Sequence, residues 1–159
     1  LGANQSNFKN SVNNTNLREV TNLGVDYGFE LRSGFKGFFN YHLGSKWNYN
    51  QVKTSIKNDF TDNVSFIDLS MQFNDEINVQ VQGERYYFGN LGKDNNKYYF
   101  LDAEARYVVD SNKLTFFLSG KNLFNTKTFK NYSVSDISIS QGEYHLIPRY
   151  VLLKMEYRF

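Results

Sequence analysis

The 159-residue sequence contains no cysteine, a single proline and two histidines. Without cysteine there is no disulfide scaffold, no thiolate nucleophile and no Cys-based zinc or iron–sulfur site. No apolar run approaches the roughly 18 residues of a membrane helix, which excludes a helical membrane protein. Charge of one sign is scarce too. Eighteen Lys and Arg against 16 Asp and Glu leave +2, too little to argue for a nucleic-acid partner. Aromatic residues, by contrast, are abundant: 15 Phe, 12 Tyr and 1 Trp make up 18% of the chain. Hydrophobic residues reach 40% although mean hydropathy is −0.57, enough apolar content to exclude a wholly disordered chain. Few prolines and many aromatics point to long β-strands, and the length suits one domain.

The chain opens on Leu1 with no basic-then-apolar leader, so the expectation is a processed, trimmed or partial polypeptide. Residues 1–16 carry six Asn and four scattered apolar residues, which predicts an Asn-rich extracellular loop ahead of a β-domain over 17–159. From Leu23 onward, seven segments repeat with period two: Leu23–Leu31, Phe35–Leu43, Ile67–Phe73, Ile77–Val81, Tyr99–Tyr107, Leu114–Gly120 and Val151–Phe159. Their 31 alternate positions hold no charged residue, whereas the 24 positions interleaved within the segments hold ten. One face suits hydrocarbon or a core, and the other suits water.

Short connections at 33–34, 74–76 and 110–113 alternate with long polar ones near 45–63, 83–97 and 125–146. That layout is the one expected of an outer-membrane β-barrel, with short turns on one rim and long loops on the other. Aromatic residues gather near strand ends, at Trp47 and Tyr49, Tyr86 to Phe88, Tyr98 and Tyr99, and Tyr157 with Phe159, as interfacial girdles require. A soluble, carbohydrate-binding β-sandwich with one apolar inner face per sheet explains the alternation equally well but leaves the grouping of the loops unexplained. A complete small barrel of about eight strands, structural or adhesive, is the other rival.

The end of the chain is more specific. Val151, Leu153, Met155, Tyr157 and the terminal Phe159 form an alternating strand that closes on an aromatic residue. It resembles the signal by which bacterial barrel assembly machinery captures a last strand through its unpaired edge. Ahead of it stand GKNLFNTKTF, with Asn122, Leu123, Phe124 and Asn125, and then IPRYVLLKMEYRF, with Pro148 and Arg149. This stretch is similar to the C-terminus of TonB-dependent receptors, and closest to those of Bacteroidota. The resemblance implies an all-β, antiparallel transmembrane barrel segment of about seven strands, the final third of a barrel of about 22. It further implies outer-membrane lipid, the remaining strands and a plug domain as partners, with TonB acting on that plug and, in the glycan-importing branch, a surface lipoprotein. The cargo would be a glycan, peptide or metal chelate. The plug and the TonB-contacting segment have no counterpart in these residues.

No catalytic constellation stands out, so an enzyme is not expected, and neither is a cofactor or bound metal. His42 and His145 are far apart and lack companion ligands at metal spacing. Asp102, Glu104 and Arg106, like Lys154, Glu156 and Arg158, mix signs at two-residue spacing, which favours cross-strand ion pairs in a wet lumen over acid–base catalysis. The segment from Gly89 to Lys97 has neither phosphate-loop nor EF-hand spacing. Trp47, Tyr49, Tyr132 and Tyr144 are candidate ligand-contacting loop aromatics, with interfacial anchoring as their competing use.

Overall fold

The computed structural model describes the chain except residues 12–16, 35–36, 110–112, 136–137 and 159 and the side chain of residue 139. The fold is all-β. Among the described residues ten strands run in chain order: β1 (Gly2–Asn10), β2 (Arg18–Arg32), β3 (Phe39–Lys53), β4 (Lys57–Gln72), β5 (Ile77–Tyr87), β6 (Lys97–Val109), β7 (Leu114–Lys121), β8 (Thr128–Val134), β9 (Ile139–His145) and β10 (Tyr150–Tyr157). Eight form one antiparallel sheet in the order β1-β2-β3-β4-β5-β6-β7-β10. The remaining two, β8 and β9, pair with each other as a hairpin inserted in the chain between β7 and β10. The sheet is therefore a meander with one excursion.

Register tests the period-two reading independently, because directly opposed residues in an antiparallel pair share a face. Phe39 opposes Met71, Met71 opposes Val79, and the same row continues through Ala105 and Leu118 to Leu153. A parallel row runs Leu31, Leu43, Ile67, Gly83, Leu101. The interleaved row is Arg32, His42, Asp68, Gln82, Asp102. A slip of one residue at any pair would set an apolar side chain among charges. No such slip occurs.

The apolar face is uncovered. Among the described residues only Val20, Tyr98 and Val108 are buried hydrophobics, while Phe29, Leu118 and Leu153 on the apolar face are 52%, 51% and 67% exposed. No second sheet packs on this face among the described residues, so the eight strands are not half of a sandwich built within this chain. The charges of the other face are knitted together. Glu30 takes Lys46 at 3.2 Å and Arg32 at 3.0 Å, and His42 sits between Glu30 at 3.5 Å and Asp68 at 3.3 Å.

Four expectations need correction. Residues 2–10, expected as a loop, are strand β1, paired with β2 at nine positions from Gly2↔Asp26 to Asn10↔Arg18. Backbone bonds to β2 hold it, helped by Phe8 opposite the buried Val20 and by Lys9 opposite Glu19 at 3.3 Å. The strand beginning near Leu17 is consequently not an edge of the sheet; the edges are β1 and β10, and they do not pair with each other. The connection expected over 45–63 shrinks to 54–56, because β3 and β4 run 15 and 16 residues. The stretch 125–146, expected as a polar loop, contains the β8–β9 hairpin. The turn at 74–76 does form, with Asn74 Oδ1 accepting from the Glu76 and Ile77 amides at 3.0 and 2.7 Å. Of the turn at 110–113, residues 110–112 lie outside the described residues, as does Phe35 among the expected apolar positions.

Candidate functional site

The strongest candidate is a cleft on the polar face, at the end of the sheet opposite the 74–76 turn. Even-numbered residues of β1 to β4 point to one side there, and the register stacks them in rows. One row reads Gly2, Asp26, Asn48, Asp62; the next Asn4, Gly24, Asn50, Phe60; the third Ser6, Asn22, Val52, Asn58. Amide side chains thus converge from strands whose sequences share nothing but alternation. Gly24 matters in the middle row. A Cβ there would stand 2.3 Å from Asn4 Oδ1, so the missing side chain lets Asn4 lie across β2.

The wall of the cleft is the β8–β9 hairpin, and aromatic packing brings it there. Phe129 of β8 meets Tyr98 and Tyr86 of the sheet at ring-centroid distances of 4.9 and 5.4 Å, and Tyr132 meets Phe60 edge-on at 5.2 Å. Such contacts contribute about 0.5–1.5 kcal/mol each beyond area burial. Tyr132 Oη then donates to Asp62 Oδ1 at 2.5 Å, and the Gly89 amide donates to the same oxygen at 3.0 Å. The Asn90 amide donates to Tyr132 Oη at 3.3 Å. Burial first, and the Asp62 carboxylate second, push the Tyr132 hydroxyl well above the ordinary tyrosine range, so it is a firm donor. The resulting cavity measures about 490 Å³, with Asn4, Asn22, Asn50, Asp62, Tyr132 and Ser133 among its lining. Asp62 is the one charged lining side chain among the described residues.

The residues singled out from the sequence fall in different places. Tyr132 lines the cleft. Trp47 and Tyr49 do not lie in a loop: both are in β3, in register with the apolar face, where Trp47 stacks on Tyr27 at 5.4 Å with ring planes 6° apart. Gln51 Nε2 donates to Tyr49 Oη at 2.7 Å. Tyr144 is in β9, 53% exposed and outside the cleft lining. Among the described residues no His, Asp and Glu gather at metal-holding distance. His145 is in β9, apart from the His42 network, and Asp102 and Glu104 are tied separately, to Lys121 at 3.1 Å and Ser119 at 2.7 Å.

The Asn-Leu-Phe-Asn motif has a clear structural use. Asn122 and Asn125 are the only non-glycine residues with positive φ among those described, at 50° and 58°. Asn122 Nδ2 donates to Thr126 O at 2.8 Å and Ile147 O at 2.9 Å, while its Oδ1 accepts from the Thr126 amide at 3.0 Å. Its own amide donates to Asp102 Oδ1 at 2.8 Å, and the Leu123 amide to Leu101 O at 2.8 Å. Asn125 Oδ1 accepts from the Arg149 amide at 3.2 Å, just after Pro148. These bonds clasp the end of β7 to the start of β10 across the inserted hairpin. Phe124 packs edge-on against Tyr99 at 6.4 Å. Val151, Leu153, Met155 and Tyr157 lie along β10 in register with the apolar face; Phe159 is outside the described residues.

The sequence reading missed Asn4, Asn22, Asn50 and Asp62. Abundant Asn suggests loop, although Trp47-Asn48-Tyr49-Asn50 alternates aromatic with amide, a strand signal in itself. No family model, curated protein or solved structure matches this chain.

Proposed function

We propose that this chain is part of the wall and the extracellular face of a bacterial outer-membrane transporter resembling TonB-dependent receptors, which imports a glycan, peptide or metal chelate. The observation that carries the reading is a single-layer, eight-stranded antiparallel sheet with one face apolar and uncovered and the other charged and internally paired. Lipid is the natural cover for such a face, since a closed barrel satisfies every backbone group while presenting apolar side chains outward. Strands of 15 and 16 residues exceed the roughly 9–11 that hydrocarbon demands, so β2, β3 and β4 would rise beyond the membrane and carry the cleft on their outer ends. Trp47, stacked on Tyr27, would mark the interface. The unpaired edges β1 and β10 favour a wall completed by further strands over a small closed cylinder. On this reading barrel assembly machinery captures β10, a plug fills the lumen and responds to TonB, and a surface lipoprotein is a further candidate partner above the loops.

Substitution on β10 tests the membrane reading. Leu153 opposes Leu118 on the apolar face, whereas Lys154 opposes Phe117 on the other. Arg on a lipid face near the midplane costs about 2–4 kcal/mol, while lumenal changes are tolerated. Leu153→Arg should therefore strip the full-length protein of its heat-resistant, fast-migrating form far more than Lys154→Ala. Equal losses would reject lipid as the cover.

A further inference from the structure

A second feature lies on the apolar face, where charge is least expected. We infer that Arg85, held by Asn63 at the head of a groove over Gly83, binds the phosphate of a membrane lipid whose acyl chain lies in that groove. The inference goes beyond the proposed function and rests on it, since only a face turned to lipid would meet such a molecule.

On β4 to β6 the uncharged rows of the apolar face end at Ile67, Gly83 and Leu101. The next row is Ser65, Arg85, Tyr99, and the one after it Asn63, Tyr87, Lys97. Along β5, Arg85 is the first charged residue on that face after the 74–76 turn. Its guanidinium is placed by a neutral group. Arg85 Nη1 donates to Asn63 Oδ1 at 3.0 Å, and its Cζ lies 6.0 Å from the Tyr87 ring centroid. Asn63, 5% exposed, is itself fixed: its Nδ2 donates to Ser45 Oγ at 2.8 Å and Lys46 O at 3.0 Å, and its Oδ1 also accepts from Ser65 Oγ at 3.1 Å. Among the described residues no carboxylate pairs with Arg85 or with Lys97. Lys97 stands diagonally across from Arg85, at the roughly 7–8 Å that long side chains bridge. The cluster therefore orients a positive charge without neutralising it, and a charge at a hydrocarbon boundary is costly until an anion meets it.

The groove supplies the other half. Gly83 opposes Ile67 and Leu101, and with Phe124 they border a depression of about 370 Å³ that reaches Arg85. Glu84, the one lining carboxylate among the described residues, is in register with the polar face, where Tyr86 Oη donates to it at 2.8 Å. A phosphate suits the head of the groove because a guanidinium forks onto its oxygens, and the Lys97 ammonium adds a second charge. Methylenes suit the groove itself, where a free anion would gain nothing. A basic site continuous with apolar surface recognises a headgroup and its chain together.

Native mass spectrometry of the full-length protein in detergent tests the assignment, with dioleoyl phosphatidate as probe and dioleoyl phosphatidylcholine as its zwitterionic control. Phosphatidate should saturate a site, and phosphatidylcholine should bind at least about tenfold more weakly. Arg85→Gln should weaken phosphatidate about tenfold, and Arg85→Lys by less, because the charge stays while the fork is lost. Lys46→Gln, at a similar height on the other face, should leave binding unchanged. Heat-modifiable migration confirms that each variant folds. Undiminished binding in Arg85→Gln, or phosphatidylcholine binding as well as phosphatidate, overturns the site. Displacement of phosphatidate by an equal concentration of inorganic phosphate or hexaglutamate overturns lipid as the occupant. Any of these results with Leu153→Arg still far more damaging than Lys154→Ala removes the lipid site and leaves the membrane wall standing. Equal losses in that pair would remove the wall and the lipid site together.

Discussion

Asn122 is the position where sequence motif, backbone strain and hydrogen bonding coincide, and its replacement gives the sharpest energetic test of the fold. Its side chain makes three hydrogen bonds, to Thr126 O, from the Thr126 amide and to Ile147 O. The two involving Thr126 are part-buried and the third is exposed. Taking about 1 kcal/mol for each part-buried bond and little for the exposed one, Asn122→Gly should lose about 2 kcal/mol. Its φ of 50° is left-handed, which glycine adopts freely and alanine does not. Asn122→Ala should lose about 1 kcal/mol more, near 3 in all. Asn125→Gly forfeits only an exposed 3.2 Å bond to the Arg149 amide and should lose less than about 1 kcal/mol. Urea unfolding of the detergent-reconstituted protein, read by heat-modifiable migration, measures the order. Hydrogen exchange at the Thr126 amide should quicken in both Asn122 variants. An Asn122→Ala protein within about 0.5 kcal/mol of the parent, or a glycine variant less stable than the alanine one, would refute the clasp.

Three further outcomes follow from other sites. A Cβ on Gly89 would lie 2.4 Å from Thr61 O and 2.8 Å from Thr61 N, both backbone, so Gly89→Ala should cost about 1–3 kcal/mol and release the Gly89 bond to Asp62, seen as faster proteolysis between β5 and β6. Val20 is 1% exposed and opposes Phe8, so Val20→Ala should cost about 2 kcal/mol and speed hydrogen exchange selectively along β1. Because the Tyr132 hydroxyl titrates above the ordinary range, its contribution to hairpin docking is fully present below about pH 10 and is lost as pH rises through the raised value. Tyrosinate absorbance should lose a late-titrating group in Tyr132→Phe, and a variant with an unchanged titration would exclude the Asp62 contact.

Most of the sheet was legible because alternation and register obey one constraint. Leu153 in β10 and Met71 in β4 belong to the same row, and any reading that keeps charge off their face also sets the pairing between them. Strand β1 was illegible for the opposite reason. Its side chains alternate little, and it is held by backbone bonds and by one apolar opposition, Phe8 with Val20, which appears only once the partner is known. The end of β3 and the start of β4 look like loop in the sequence because they are polar, but they are strand, with amides on one face and Trp47 and Tyr49 on the other. The cleft could not be read from spacing at all. Its decisive contact joins Tyr132 to Asp62, 70 residues apart, through a hairpin outside the main sheet.

That hairpin is also the element that links the sheet to the cleft. An insertion between two paired strands ordinarily risks separating them, yet β7 and β10 stay in register over eight residues because Asn122 and Asn125 bind the two chain ends together beneath it. Freed from holding the sheet, the hairpin can commit its aromatic residues to Tyr86, Tyr98 and Phe60 on the polar face. The same division runs through β2. Val25, Tyr27 and Phe29 lie in register with the apolar rows, while Asn22, Gly24 and Asp26 lie on the cleft side. The apolar face and the cleft side are therefore written on alternate residues of one strand. A substitution at an even position of β2 can change the polar face without altering the apolar one, and the reverse holds at odd positions. Period two, which first revealed the sheet, is also what lets its two tasks vary independently.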